Sequence, residues 1–140
     1  MTTTTATMGT TAINSESKAK LWTGRIMAGL VIAFMLMDSI FKLIPNEMVT
    51  ASTVELGFQT HHIPVLGILG LTSIVLFTLP RTSILGAILL TGYFGGAIAT
   101  HVRLDNPLFT HILFPVYLGL LVWGSLYLRN EKLRKLIAGK

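Results

Sequence analysis

Cysteine is absent from the 140 residues, and charge is scarce, with Asp, Glu, Lys and Arg together making up 12% of the chain. The first absence removes thiolate catalysis, disulfide exchange and cysteine-based metal or iron–sulfur ligation from anything the chain does alone. It says nothing of the redox state of the compartment. The second absence is more informative, because a soluble domain gives about a quarter of its residues to these four types. The missing charge is missing from particular places. Ile63 to Leu79, Thr82 to Thr100 and Ile112 to Leu128 contain no charged residue, and Ile26 to Ile44 contains only Asp38 and Lys42. Nor do these runs show a polar face at helical spacing, as a core helix of a soluble bundle would. Crossing a hydrocarbon layer about 30 Å thick takes roughly 17–25 such residues. Strands are excluded, since an open sheet leaves its backbone unsatisfied in lipid. The expected fold is all-α, an integral membrane four-helix bundle over residues 21–129, with helices at about 24–44, 63–79, 83–100 and 112–128.

The net charge is +5, but the positive residues stand beside helix ends and make no soluble basic face, which sets nucleic acid aside. Lys18, Lys20, Arg25, Arg81, Arg129, Lys132, Arg134, Lys135 and Lys140 fall on one side of the expected membrane, and only Lys42 and Arg103 on the other. Positive residues gather in cytoplasmic loops, so both termini are expected in the cytoplasm. Residues 1–20, rich in Thr, Ser and Ala, read as a disordered tail, without the apolar stretch a signal peptide needs. Residues 130–140 read as a basic cytoplasmic tail, amphipathic from Arg129 to Leu136 and suited to anionic headgroups. The longest loop, Pro45 to about His62, holds Val54-Glu55-Leu56-Gly57-Phe58, a candidate short interfacial helix or re-entrant piece. Pro80-Arg81 makes a tight turn.

Short loops make sequential helices antiparallel neighbours. The third run carries a stripe of small residues, Ala87, Thr91, Gly95 and Ala99, with Gly92, Gly96 and Thr100 beside it. Small residues let helix backbones approach closely in lipid. Gly92, Gly95 and Gly96 are therefore expected to pack within the bundle, the alternative being a homodimer face.

The topology also sorts the polar chemistry. His61, His62, His101 and His111 all fall at the non-cytoplasmic helix ends. Asp38, Lys42, Glu55, Arg103 and Asp105 lie on the same side. An ionisable group inside a membrane costs at least ~2.5–3.5 kcal/mol on insertion scales, so it usually faces the interior with a partner. Asp38 and Lys42, at i and i+4 with the acid first, suit a self-neutralising pair or a proton, ion or substrate site. His101 closes one helix and His111 opens the next at the same depth. Pro115 removes the donor for the His111 carbonyl and should bend the helix there. Haem and divalent metal are disfavoured, since no diagnostic spacing is present and His61 and His62, adjacent on a helix, would point apart. No metal ligand is assigned. Tyr93, Tyr117 and Trp123 read as packing residues, Trp22 and Tyr127 as an interfacial belt.

Two stretches carry a resemblance. One runs from Pro80-Arg81-Thr82 through Leu85-Gly86-Ala87-Ile88-Leu89-Leu90-Thr91-Gly92-Tyr93 to Gly95-Gly96-Ala97-Ile98-Ala99-Thr100-His101-Val102-Arg103. The other joins His111-Ile112-Leu113-Phe114-Pro115-Val116-Tyr117-Leu118-Gly119 to Trp123-Gly124-Ser125-Leu126-Tyr127-Leu128-Arg129. With Asp38 and Lys42 in the first helix, the sequence resembles the DoxX-like family from about Arg25 to Arg129. The resemblance implies a small four-helix bacterial membrane protein, expected in the inner membrane and distantly similar to membrane subunits of a thiosulfate:quinone oxidoreductase. It points toward a redox or quinone-linked role, and any sulfur chemistry would need a thiol from substrate or partner. Fold analogy alone carries no reaction across. The expected function is an accessory or redox-associated subunit, not an enzyme on its own, with a periplasmic-side pocket for a small ligand such as a quinone. Asp38, Lys42, His101, Arg103 and His111 are its candidate lining. The rivals are a structural or assembly partner of another membrane protein and a small oligomeric transporter. The expected partners are the lipid bilayer and another protein or a second copy.

Overall fold

The computed structural model describes residues 2–44 and 46–139, with side chains from residue 17 onward. Among the described residues there is no strand. Six α-helices follow in chain order: α1 (Thr2–Leu43), α2 (Glu47–Glu55), α3 (Ile63–Thr78), α4 (Ser83–Arg103), α5 (Phe114–Arg129) and α6 (Glu131–Ile137). A 3-10 turn, Thr60–His62, leads into α3, and a π turn, Leu108–Ile112, leads into α5. Four segments, Ser17–Leu43, Thr60–Thr78, Ser83–Arg103 and Leu108–Arg129, are long and apolar enough to cross a membrane. They match the four expected helices.

Local chemistry sets the ends. α1 stops ahead of Pro45, because the residue before a proline is pushed out of the helical region. Asn46 then caps α2, its Oδ1 accepting from the Met48 amide at 2.9 Å. α3 ends ahead of Pro80, and α4 starts where Ser83 Oγ donates to the Leu79 carbonyl at 2.7 Å. Two expected boundaries move. Residues 2–20, expected as a disordered tail, belong to α1, and the helix-favouring Lys18, Ala19 and Lys20 carry it into the apolar run. The expected basic tail is largely α6, where Asn130 leaves the helical region and its Oδ1 accepts from the Leu133 amide at 3.1 Å. Leu133 is buried against α5, and Arg134 donates to the Leu128 carbonyl at 3.0 Å, which satisfies an end of α5.

The long helices form a ring in which α1 packs on α3 and α5, and α4 packs on the same two. α1 and α4 therefore stand at opposite corners. Val31, Met35, Ile74, Phe77, Ala87, Leu90, Val122 and Leu126 fill the middle. The outside is also apolar: Ile26, Leu30, Ile68, Ile88 and Leu120 are each more than half exposed. A surface of that kind suits hydrocarbon, where packing and not water exclusion holds helices together.

Close packing is found at one end of the α3–α4 hairpin. Gly86 lies against the backbone of Phe77, where a Cβ would have no room, and Thr82 Oγ1 donates to the Leu76 carbonyl at 2.8 Å. The expectation for Gly92, Gly95 and Gly96 is corrected. A Cβ at any of the three would meet nothing within 4 Å, and all three are exposed. The hairpin is held closely at Gly86, and farther along α4 a gap lies beside Gly92 and Gly96. Gly95 shares the outward face with Ile88 and Ala99, while Gly92 and Gly96 edge the gap.

Candidate functional site

That gap leads to the interior polar groups. Asp38 and Lys42, one turn apart on α1, form an ion pair. Lys42 Nζ also donates to the Tyr93 hydroxyl at 3.2 Å and lies 5.8 Å from the centre of that ring. Tyr93 is on α4, so this contact crosses the ring of helices corner to corner. It makes a chain of carboxylate, ammonium and phenol through the bundle, with each charge matched as an interior site requires.

The chain borders a cavity of about 620 Å³ between the helices. Apolar side chains make most of its wall, with Phe34 and Met35 from α1, Leu66 and Leu69 from α3, and Phe114 and Leu118 from α5. Asp38, Lys42, Tyr93 and His101 are its ionisable lining. Ligand sites typically have roughly 300–1,000 Å³, an apolar wall and few convergent polar groups. Over the histidine end, Thr53 and Leu56 of the α2 region and Phe58 of the following loop close the top. The polar groups thus lie beneath a roof and not at an open mouth.

The five expected site residues separate into three roles. Asp38, Lys42 and His101 line the cavity. His111 does not, but its ring centre lies 5.5 Å from that of His101, edge to face. The hydrogen-bonding neighbours differ: His101 Nδ1 pairs with the Asn106 side-chain amide at 2.8 Å, and His111 Nδ1 with the Thr110 hydroxyl at 2.8 Å. The π turn brings His111 there, as its amide and that of Ile112 both reach the Pro107 carbonyl, at 3.1 and 3.3 Å. The chain then bends at Leu113 and restarts as α5 at Phe114-Pro115, the break that Pro115 demands. Arg103 holds the roof instead. Its Nη2 donates to the Leu56 carbonyl at 2.7 Å. Gly57 permits this, with φ +92 and no Cβ, since a Cβ would fall 2.5 Å from Arg103 Nη2.

His61 and His62 do not point apart as expected. They sit in the 3-10 turn, not on an α-helix, and their ring centres are 4.2 Å apart. His62 Nδ1 accepts from the Gln59 amide at 3.2 Å and closes that turn. Among the described residues no three of His, Asp and Glu gather as a metal-ligand set.

Tyr93 is the site residue that sequence reasoning missed, having read it as packing. Its signal was available: it stands seven residues from Gly86 and four from Ala97, on the face turned toward α3 and the interior. A phenol buried in lipid also needs a hydrogen-bond partner. Leu56 and Phe58 were in view only as part of a candidate interfacial piece, and Thr53 lay just outside it.

The family model described as the DoxX-like family matches residues 26–125, a span that holds every residue of the cavity and its roof. No curated protein and no solved structure matches the chain.

Proposed function

The chain belongs to the DoxX-like family, and from that premise we propose that it is an accessory, redox-associated membrane protein that holds a small ligand, a quinone headgroup fitting best, in the cavity between its helices. The observation that carries this reading is the Asp38–Lys42–Tyr93 chain along one wall of an otherwise apolar cavity. A quinone headgroup is a flat apolar ring with two acceptor oxygens. Lys42 Nζ and the Tyr93 hydroxyl are donors already aimed into the interior, and Asp38 accepts a proton from a hydroxyl on the reduced ring. His101, paired with His111, connects the cavity to the exposed end. The chain's own part is to bind, orient and exchange protons, while electrons pass to or from a partner.

Native mass spectrometry of the protein in mild detergent tests this. A quinone mass retained by the unsubstituted protein and lost from Lys42→Met is the expected result. A bare protein mass after loading with quinone would count against it.

The second reading is an assembly partner without a ligand, favoured by the fact that Asp38 and Lys42 neutralise each other within the chain. It predicts that Asp38→Leu with Lys42→Met leaves function intact. For orientation we place both termini in the bacterial cytoplasm, on the positive-inside argument. Because the chain has no thiol, a cysteine introduced at Asn106 should react with an impermeant maleimide from the periplasmic side and one at Asn130 should not. The reverse labelling pattern would invert the orientation.

A further inference from the structure

The cavity is unequally closed on its different sides. Toward the histidine end Thr53 is 4% exposed and, with Leu56 and Phe58, covers the site. Arg103 ties that cover to α4 through the Leu56 carbonyl. Between α3 and α4 there is no such cover. The residues that border the cavity there include Leu69, 53% exposed, on α3 and Leu89, 40% exposed, on α4. Gly92 and Gly96 border it too, and each faces open space where a Cβ would stand. From Leu89 to Thr100 this edge of α4 is roughly 16 Å long at 1.5 Å per residue. It lies inside segments of spanning length, at a depth where the surroundings are hydrocarbon and not water.

We infer that the ligand reaches the cavity sideways, from within the bilayer, and that a long apolar chain attached to its headgroup lies in the slot between α3 and α4. The inference rests on the reading of the cavity as a binding site. It assigns the ligand to the class of membrane-borne molecules with a compact polar head and a hydrocarbon tail. It also gives the small residues of α4 a task other than helix packing: Gly92 and Gly96 keep the side of the site open. The geometry matches the chemistry at each level. Donors and the carboxylate stand in the interior for the head. The slot is walled by Leu66, Leu69 and Leu89, which offer only dispersion contacts to a tail. The roof keeps the polar head from water, and no charged residue lines the side opening.

Gly96→Phe tests this directly, with Gly92→Phe as a second plug and Gly95→Phe as the control on the outward face of the same helix. Each variant, in lipid nanodiscs, is loaded separately with ubiquinone bearing its full isoprenoid tail and with the analogue bearing a single isoprenoid unit. Native mass spectrometry reads occupancy, and thermal unfolding verifies the fold. The expected result is that either plug weakens retention of the long-tailed quinone about tenfold or more, the effect of losing roughly two buried methylenes. The short analogue should stay bound, and Gly95→Phe should retain both. Equal effects on the two quinones in the folded plug variants, whether both are kept or both lost, would overturn the lateral path while leaving the cavity reading in place. Failure of the unsubstituted protein to hold either quinone would overturn the cavity reading and the path together.

Discussion

Within α4, glycine serves two opposite purposes less than three turns apart. Gly86 lets α4 lie on the backbone of Phe77, and the helices touch there. Gly92 and Gly96 have nothing against them, and they border the interior cavity. A glycine looks the same in the sequence at either place, so its identity does not decide what it does. The tether decides it. Close to the Pro80 turn the partner helix cannot move away, and the absent side chain becomes backbone contact, the main source of helix association in lipid. Farther along, Thr53, Leu56 and Phe58 lie over the cavity that Gly92 and Gly96 border, and the absent side chain becomes space. One half of the bundle is closely packed and the other encloses the cavity.

The largest expected effect lies in the closed half. Gly86→Leu should destabilise the protein by about 3 kcal/mol, because overpacking there is opposed by backbone and not by a side chain that can swing aside. Gly96→Leu should change stability by less than about 0.5 kcal/mol, as an exposed helical position does. Thermal unfolding in one detergent compares the two. Equal losses would show that the two halves are packed alike and would erase the distinction.

The interior charges come next. Asp38→Ala alone leaves Lys42 without its carboxylate and should cost about 2 kcal/mol, less than a fully buried pair because both side chains keep some exposure. Adding Lys42→Met should restore most of that loss. A double variant no more stable than the single one would mean that the pair matters through packing and not through charge.

How much of this could be read in the chain itself differs between the two halves in the same way. The four helices, the ion pair at i and i+4, the break at Pro115 and the shared depth of His101 and His111 are all local or nearly so. Run length, helical spacing and proline chemistry express them directly. Gly92 and Gly96 lack the close neighbour expected within the bundle, because the pattern of small residues is the same whether the neighbour is near or far. Tyr93 was missed because its contact with Lys42 spans 51 residues and crosses the ring, which no single-helix period reports. Arg103 was placed in the pocket on depth alone. Its actual partner, the Leu56 carbonyl, exists only once the loop turns at Gly57 with positive φ.

Tyr93→Phe sharpens the comparison with a smaller effect. It removes one hydroxyl, so stability should move by no more than about 1 kcal/mol. Quinone retention should fall about tenfold, the value of one hydrogen bond to a ligand in an apolar site. Unchanged retention would leave Tyr93 as a partner for Lys42 alone.

The smallest effect concerns the roof, and it should be confined to it. Arg103→Met deletes the bond to the Leu56 carbonyl while keeping an unbranched side chain over Gly57. The backbone below is already lightly held: the Gly57 amide reaches the Val54 carbonyl at 2.9 Å, and the Phe58 amide reaches that of Thr53 at 3.4 Å. Little else ties this segment to the ring, since α2 has only slight packing against α1 and the 3-10 turn. Loss of an exposed, charge-assisted bond should favour local opening by about 1 kcal/mol, so these amides should exchange with deuterium about fivefold faster. The Leu79 and Thr82 amides at the α3–α4 turn, held at 3.2 and 3.1 Å, should not change. If exchange rises equally at both places, the roof and the closed half open as one unit, and the site is gated by the whole bundle. If it rises only over residues 56–58, the cover moves independently of the packed half, and access from above can be altered without touching the side opening between α3 and α4.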